Sequence, residues 1–167
     1  MEASTLHKLD RDSLLGALSP LWEDAGPLAD ALFGRRFATW SETIDASAEA
    51  IGAMDEATKA DLLRAHPRIG APSSELRSRS EMSWTEQGGD LATAPGVAAR
   101  LDWLNDAYES RFGFPFVEWV AGRSKEELVL VLETRLQRER AAELAAGASA
   151  LVDIARDRLG RLRSRAQ

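Results

Sequence analysis

The chain has 167 residues, a formal net charge of −6 and no cysteine. Hydrophobic residues make up 44% and charged residues 29%, which allows a real core and excludes wholesale disorder. The acidic balance argues against general nucleic-acid binding, and the missing cysteines exclude disulfides, a thiolate nucleophile and a cysteine metal site. No run approaches the roughly 20 apolar residues of a membrane span. Met1 to Asp12 is polar and lacks the apolar centre of a signal peptide, so a cytoplasmic protein is expected.

Helical spacing runs through the chain, and strand alternation is nearly absent. Asp10 can cap a short helix carrying Leu14, Leu15 and Leu18, which Pro20 interrupts. Pro27 suits the first turn of a second helix with Leu28, Ala31 and Leu32 inward. Ser41 can cap a third, where Ile44, Ala48 and Ile51 recur at helical spacing. Asp55 can cap a fourth that buries Leu62 and Leu63 and ends near His66-Pro67. Gly70 to Ser80, rich in Ser, Pro and Arg, reads as loop with one helical turn at most. A short helix is expected around Ser83 to Asp90, and a longer one opens at Thr93 with Pro95 just inside. Val97, Leu101, Leu104 and Tyr108 form its apolar stripe.

That stripe leads into Arg111-Phe112-Gly113-Phe114-Pro115-Phe116-Val117, which holds three of the five phenylalanines. Gly113 breaks the helical pattern, and Pro115 pushes Phe114 towards an extended conformation. The segment is either a core connector bonded to neighbouring helices or a backbone that faces a ligand cavity. Phe116 to Val120 could pair briefly as an edge strand. Ser124-x-x-Glu127 is a capping box for the next helix, with Leu128, Val131 and Leu132 after it. A last helix over about 141–163 carries Leu144, Leu151, Ile154 and Leu162. The expected fold is an all-α single domain, a bundle of six to nine helices over residues 1–167, with flexible tails at 1–9 and 164–167.

His7 and His66 are the only histidines. His7 lies in the polar tail. His66, held by Pro67, is either a helix-end cation or an acid, base or hydrogen-bond donor. Ser83-x-x-Glu86 has capping-box spacing, yet Gln87 and then Gly88-Gly89-Asp90 follow it instead of an apolar run. A carboxylate beside an amide on one short helix could instead grip a heterocycle. The arginines at 156, 158, 161, 163 and 165 read as a solvated face, one of which could turn inward to bind a carboxylate. One plausible histidine, no cysteine and no H-x-x-x-H spacing leave too few ligands for zinc, so no metal is expected. No phosphate-binding glycine loop and no G-x-S-x-G elbow is present.

Arg64-Ala65-His66-Pro67, Ser83-Trp84-Thr85-Glu86-Gln87, Asn105-x-x-Tyr108-x-x-Arg111-Phe112-Gly113-Phe114-Pro115-Phe116 and Gly122-Arg123-Ser124-Lys125 follow in this order. Together they resemble the 2-oxo-4-hydroxy-4-carboxy-5-ureidoimidazoline decarboxylases, which complete the conversion of urate to (S)-allantoin. The resemblance runs from about Pro27 to Leu162. It implies an all-helical, cofactor-free carboxy-lyase, commonly a homodimer, acting on a small anionic ureidoimidazoline with neither nucleic acid nor membrane as partner. By the same resemblance His66, Glu86 and Arg158 are catalytic, with Arg156 and Arg161 as close alternatives to Arg158. Ser83, Gln87 and Pro67 bind substrate, and the backbone around Phe114, Phe116 and Val117 borders the pocket. The family usually has an acidic residue and leucine after His-Pro, where this chain has Arg68-Ile69-Gly70. Two rivals stay open: a decarboxylase or hydrolase of a related ureido-imidazole, and a non-catalytic helical interaction module.

Overall fold

The computed structural model describes residues 1–72, 74, 77–78, 80–88 and 93–165. Among them are a 3₁₀ helix (Ala3–Lys8) and eight α-helices: α1 (Arg11–Leu18), α2 (Gly26–Leu32), α3 (Trp40–Ala53), α4 (Glu56–Ala65), α5 (Glu81–Glu86), α6 (Pro95–Phe112), α7 (Lys125–Arg135) and α8 (Arg140–Arg165). The described residues hold no strand, so the all-α expectation holds. Phe116–Val120 does not form the brief edge strand expected of it; it has no second strand to pair with. The chain divides into two compact units, Met1–Lys59 with Ala148–Gln167, and Ala60–Gly147.

In the first unit α1 packs on α2 and α2 on α3. Leu14, Leu18, Leu28, Leu32, Ile44 and Ile51 are almost wholly buried there. Asp10 caps α1 by accepting from the Ser13 N–H at 2.8 Å, and Asp55 caps α4 by accepting from the Thr58 N–H at 2.8 Å. Both bonds favour the ionised carboxyl and hold it below its usual range. Thr39, not Ser41, caps α3. The two are chemically equivalent caps two residues apart, so the sequence could not choose. Ala29 faces inward on α2 in place of Ala31, and Ala46 and Ser47 are more deeply buried than Ala48 on α3. The first residues are not a loose tail: the 3₁₀ helix buries Ala3 and Leu6. A single leucine among polar neighbours carries no periodicity, so this anchoring is invisible in sequence. At the other end α8 continues through Arg165, while residues 166–167 lie outside the described set.

In the second unit α6 and α7 pack together. Leu101, Leu104, Tyr108 and Phe112 form the buried side of α6. That helix starts after Ala94 rather than at Thr93, with no side-chain cap, and Pro95 occupies its first turn. It stops at Gly113, whose φ of 82° is the left-handed conformation glycine adopts without cost. The expected capping box on α7 is present, with Ser124 and Glu127 bonded reciprocally.

Candidate functional site

His66 follows directly on α4, with its N–H donating to the Leu63 carbonyl at 3.1 Å. Its side chain is buried, at 7% exposure. Pro67 confines the backbone on both sides of the peptide bond. The three residues that follow are held from outside. Gln87 Nε2 donates to the Arg68 carbonyl at 3.1 Å, and Gln87 Oε1 accepts from the Gly70 N–H at 2.9 Å. Asn105 Nδ2 on α6 donates to the Ile69 carbonyl at 3.0 Å. Gly70 has φ +83°, and a Cβ there would sit 2.9 Å from Leu101 Cδ1, so only glycine fits this turn. Arg68 turns to α6 and grips Glu109 through two bonds of 2.5 and 2.7 Å, with Asp106 at 3.0 Å. The Glu109 bonds raise its pKa further. The arginine that departs from the family pattern is therefore neutralised by α6.

Ser80, not Ser83, caps α5, accepting from the Ser83 N–H at 3.1 Å. The Ser83-x-x-Glu86 spacing is thus not a capping box. Ser83 is a fully buried residue within the helix, and Glu86 is its half-buried last residue. The helix runs over Glu81–Glu86, earlier than the expected Ser83–Asp90, whose last two residues lie outside the described set. Glu86 and Gln87 line a cavity of about 340 Å³ with Thr93, Arg123, Ser124 and Lys125. His66 lines a second, of about 530 Å³, with Arg64, Arg68, Asp106, Glu109 and Pro115. Gln87 joins the two neighbourhoods, because its amide bonds the turn just beyond His66-Pro67.

The phenylalanine window is buried, with Phe112, Phe114, Phe116 and Val117 all in the core. Tyr108 lies edge-on to Phe112, Phe114 and Phe116 at centroid distances of 4.5, 6.1 and 5.4 Å. Arg140 Nε donates to the Phe112 carbonyl at 3.1 Å and Arg64 Nη2 to the Gly113 carbonyl at 2.7 Å. Both readings of this window share a rigid backbone; these bonds account for two of its carbonyls.

Sequence reasoning missed a charged network behind it. Glu143, fully buried on α8, accepts from Tyr108 at 2.5 Å and from Arg135 Nε at 2.7 Å. Burial is the main reason that the Tyr108 hydroxyl is pushed far above its usual range, with Glu143 adding to it. Arg135 also reaches Glu118 at 2.5 Å, and Glu118 holds Arg123 at 2.7 Å. Arg123 folds back on its own turn, donating to the Val120 and Trp119 carbonyls. The cavity wall at Val120 and Gly122 is thus tied to the core through Glu118. Charges on amphipathic helices read as solvated faces in sequence, and only the tertiary pairing shows otherwise.

Arg158 lies in the first unit, 2% exposed, with Nη2 at 2.8 Å from Glu23 and Nη1 donating to the Leu21 carbonyl at 3.3 Å. Of the three arginine candidates it alone is buried. Arg156 is exposed and paired with Asp45 and Asp153, and Arg161 is exposed and paired with Asp157. No group of three or more His, Asp or Glu side chains with the arrangement of a metal site occurs among the described residues. No described helix is long and apolar enough to cross a membrane.

An all-helical fold with a buried histidine on one cavity and a carboxylate on a second, smaller one suits a small-molecule site better than a polymer-binding surface. A family model for OHCU decarboxylase matches residues 7–160, and the chain belongs to that family. Among its relatives is the 2-oxo-4-hydroxy-4-carboxy-5-ureidoimidazoline decarboxylase of Amia calva. The two are 32% identical over 86% of this chain and 83% of the relative. The uric acid degradation bifunctional protein PucL of Bacillus subtilis is 29% identical over 92% of this chain. The match spans only 31% of that longer protein. A crystal structure of (S)-allantoin synthase superposes with a TM-score of 0.71 and 21% identity, covering 95% of this chain and 53% of the other. That likeness speaks for the fold.

Proposed function

We infer that the chain decarboxylates 2-oxo-4-hydroxy-4-carboxy-5-ureidoimidazoline to (S)-allantoin in urate degradation. Membership of the decarboxylase family carries this reading. The motif histidine, serine, glutamate and glutamine all fall within one compact unit, Ala60–Gly147, which is compatible with it.

The bond from C4 of the ring to its carboxylate breaks, CO₂ leaves, and the electron pair passes into the adjacent C5=N bond, leaving an enolate over C4 and C5. The C4 hydroxyl loses its proton to become the product carbonyl, and a proton is delivered to one face of C5, the carbon that bears the ureido arm. The ring supplies its own electron sink, so the protein has three tasks. It turns the carboxylate out of the ring plane, stabilises the enolate and delivers the proton. His66 bonds the hydroxyl and carboxylate region and helps proton delivery. Glu86 orients the substrate N–H groups or His66. Ser83 and Pro67 shape the ring site. The backbone N–H groups near Phe116 and Val117 stand towards the developing charge; they make no backbone hydrogen bond among the described residues. Gln87 is already bonded to the Arg68–Gly70 turn, which favours a supporting role over ring recognition. Arg158 is proposed as the holder of anionic oxygen on the family resemblance alone. The same resemblance supports a homodimer, and the cysteine-free composition fits the cytoplasm.

His66→Asn tests the reading. It should lower kcat by about 100-fold or more if the imidazole takes part in proton transfer, with the fold intact. A folded variant with wild-type turnover would remove His66 from the mechanism. A panel of related ureido-imidazoles separates this substrate from its rivals.

A further inference from the structure

The chain after His66 is over-determined. Three consecutive residues, Arg68, Ile69 and Gly70, each have a backbone group bonded by a side chain from another helix region. Arg68 adds three bonds of its own to Glu109 and Asp106. His66 is therefore fixed at one end by α4 and, two residues later, by α6. Asn105 is 1% exposed, and its Oδ1 has no hydrogen-bond partner among the described residues. A buried amide with one satisfied and one unsatisfied end offers little net stability. Of the Arg68 pairs, the one to Asp106 is a poor source of stability, because Asp106 is 70% exposed; the two-bonded pair to Glu109 is the firmer hold. Bonds from three different side chains that converge on one short loop fit a task of aiming.

We propose that Arg68 and Asn105 are positioning residues, which hold the turn after His66-Pro67 on α6 and so fix the imidazole against the substrate. This rests on the decarboxylase reading above. Arg68 acts through its ion pairs and not through its charge: Glu109 and Asp106 cancel that charge before any anionic substrate meets it. A loosened turn misaims His66 without changing which groups bind the substrate, so the loss falls on kcat rather than on KM.

The test compares Arg68→Ala, Arg68→Lys and Asn105→Ala in the full chain, with Arg100→Ala as a control. Arg100 pairs with half-buried Glu133 and stacks on Trp103. Two readouts are taken. Steady-state kinetics on substrate generated in situ should show kcat lowered roughly tenfold to a hundredfold in the two alanine variants, with KM little changed. Arg68→Lys, which keeps one ion pair but not the fork, should fall between them and wild type. The second readout needs no activity. With two histidines in the chain, ¹H–¹⁵N imidazole spectra resolve His66 once a His7→Gln variant assigns the other signal. The His66 signals should shift or broaden in both alanine variants beyond the spread of the Arg100→Ala control. Unchanged His66 signals with unchanged kcat in folded Arg68→Ala overturn the proposal, and that half-exposed position decides even if Asn105→Ala does not fold. Altered His66 signals in a protein whose wild type does not turn over the substrate uphold the positioning and overturn the decarboxylase reading instead.

Discussion

Replacing Glu86 by glutamine separates chemistry from helix stability, because the cap of α5 is Ser80. Ser80 accepts from the Ser83 N–H at 3.1 Å in an extended backbone conformation. Removing that oxygen in Ser80→Ala should cost about 1 kcal/mol, which for a chain of this length lowers Tm by about 2–4 °C. Glu86 is the last residue of the same helix, where a negative charge opposes the helix dipole. The dipole effect of neutralising it is worth up to about 1 kcal/mol, and the glutamine amide still hydrogen-bonds, so stability should change by no more than about that amount. Activity should behave in the opposite way. Glu86→Gln keeps the shape but loses the carboxylate, and kcat should drop by about 100-fold or more if Glu86 orients or relays the proton. Ser80→Ala should stay close to wild type in turnover. Calorimetry and kinetics on the same two preparations decide the matter. A Glu86→Gln variant that melts several degrees lower yet retains full activity would refute the reasoning and return Glu86 to a structural role.

Gly70→Ala should be among the most damaging small substitutions. The left-handed backbone costs about 1–2 kcal/mol before the 2.9 Å approach to Leu101 is counted, and urea denaturation reads the sum. Arg158→Lys should lose the fork that serves Glu23 and the Leu21 carbonyl, lowering stability by about 1–3 kcal/mol. Arg156→Lys, with exposed partners, should stay within about 0.5 kcal/mol of wild type. The folded-state pKa values of Asp10 and Asp55 are depressed. Their capping contribution is complete above the unfolded value of 3.8 and is lost as pH falls through the lower folded values. The double variant Asp10→Asn/Asp55→Asn should therefore show a flatter acid limb in a Tm-versus-pH series than the native chain.

The local signals in the sequence were strong and the long-range ones weak. Asp10, Asp55 and the Ser124–Glu127 box cap the helices assigned to them, since capping needs only residues three apart. Where two hydroxyl residues stood close together, as at Thr39 and Ser41 or Ser80 and Ser83, the spacing could not separate them. On α8 Arg158 stands four residues after the buried Ile154 and is buried with it, while Arg156, two residues from each, is in solvent. Arg161, which the helical spacing alone does not separate from that face, is exposed and paired with Asp157. Asn105 lay within a motif but had no assigned role, because its partner Ile69 is far away in sequence. The pairing of Glu143 with Tyr108 and Arg135 was equally hidden. Nothing in a charged residue's identity says that a helix will bury it.

The most direct test of the account is turnover itself. Substrate is generated from urate in situ in the presence of a strong chelator, and the product is followed by circular dichroism. The account predicts rapid, enzyme-dependent appearance of (S)-allantoin that survives exhaustive chelation, because no step is assigned to a metal. Racemic allantoin forming at the rate without enzyme, or turnover that chelation abolishes and a metal restores, would contradict it.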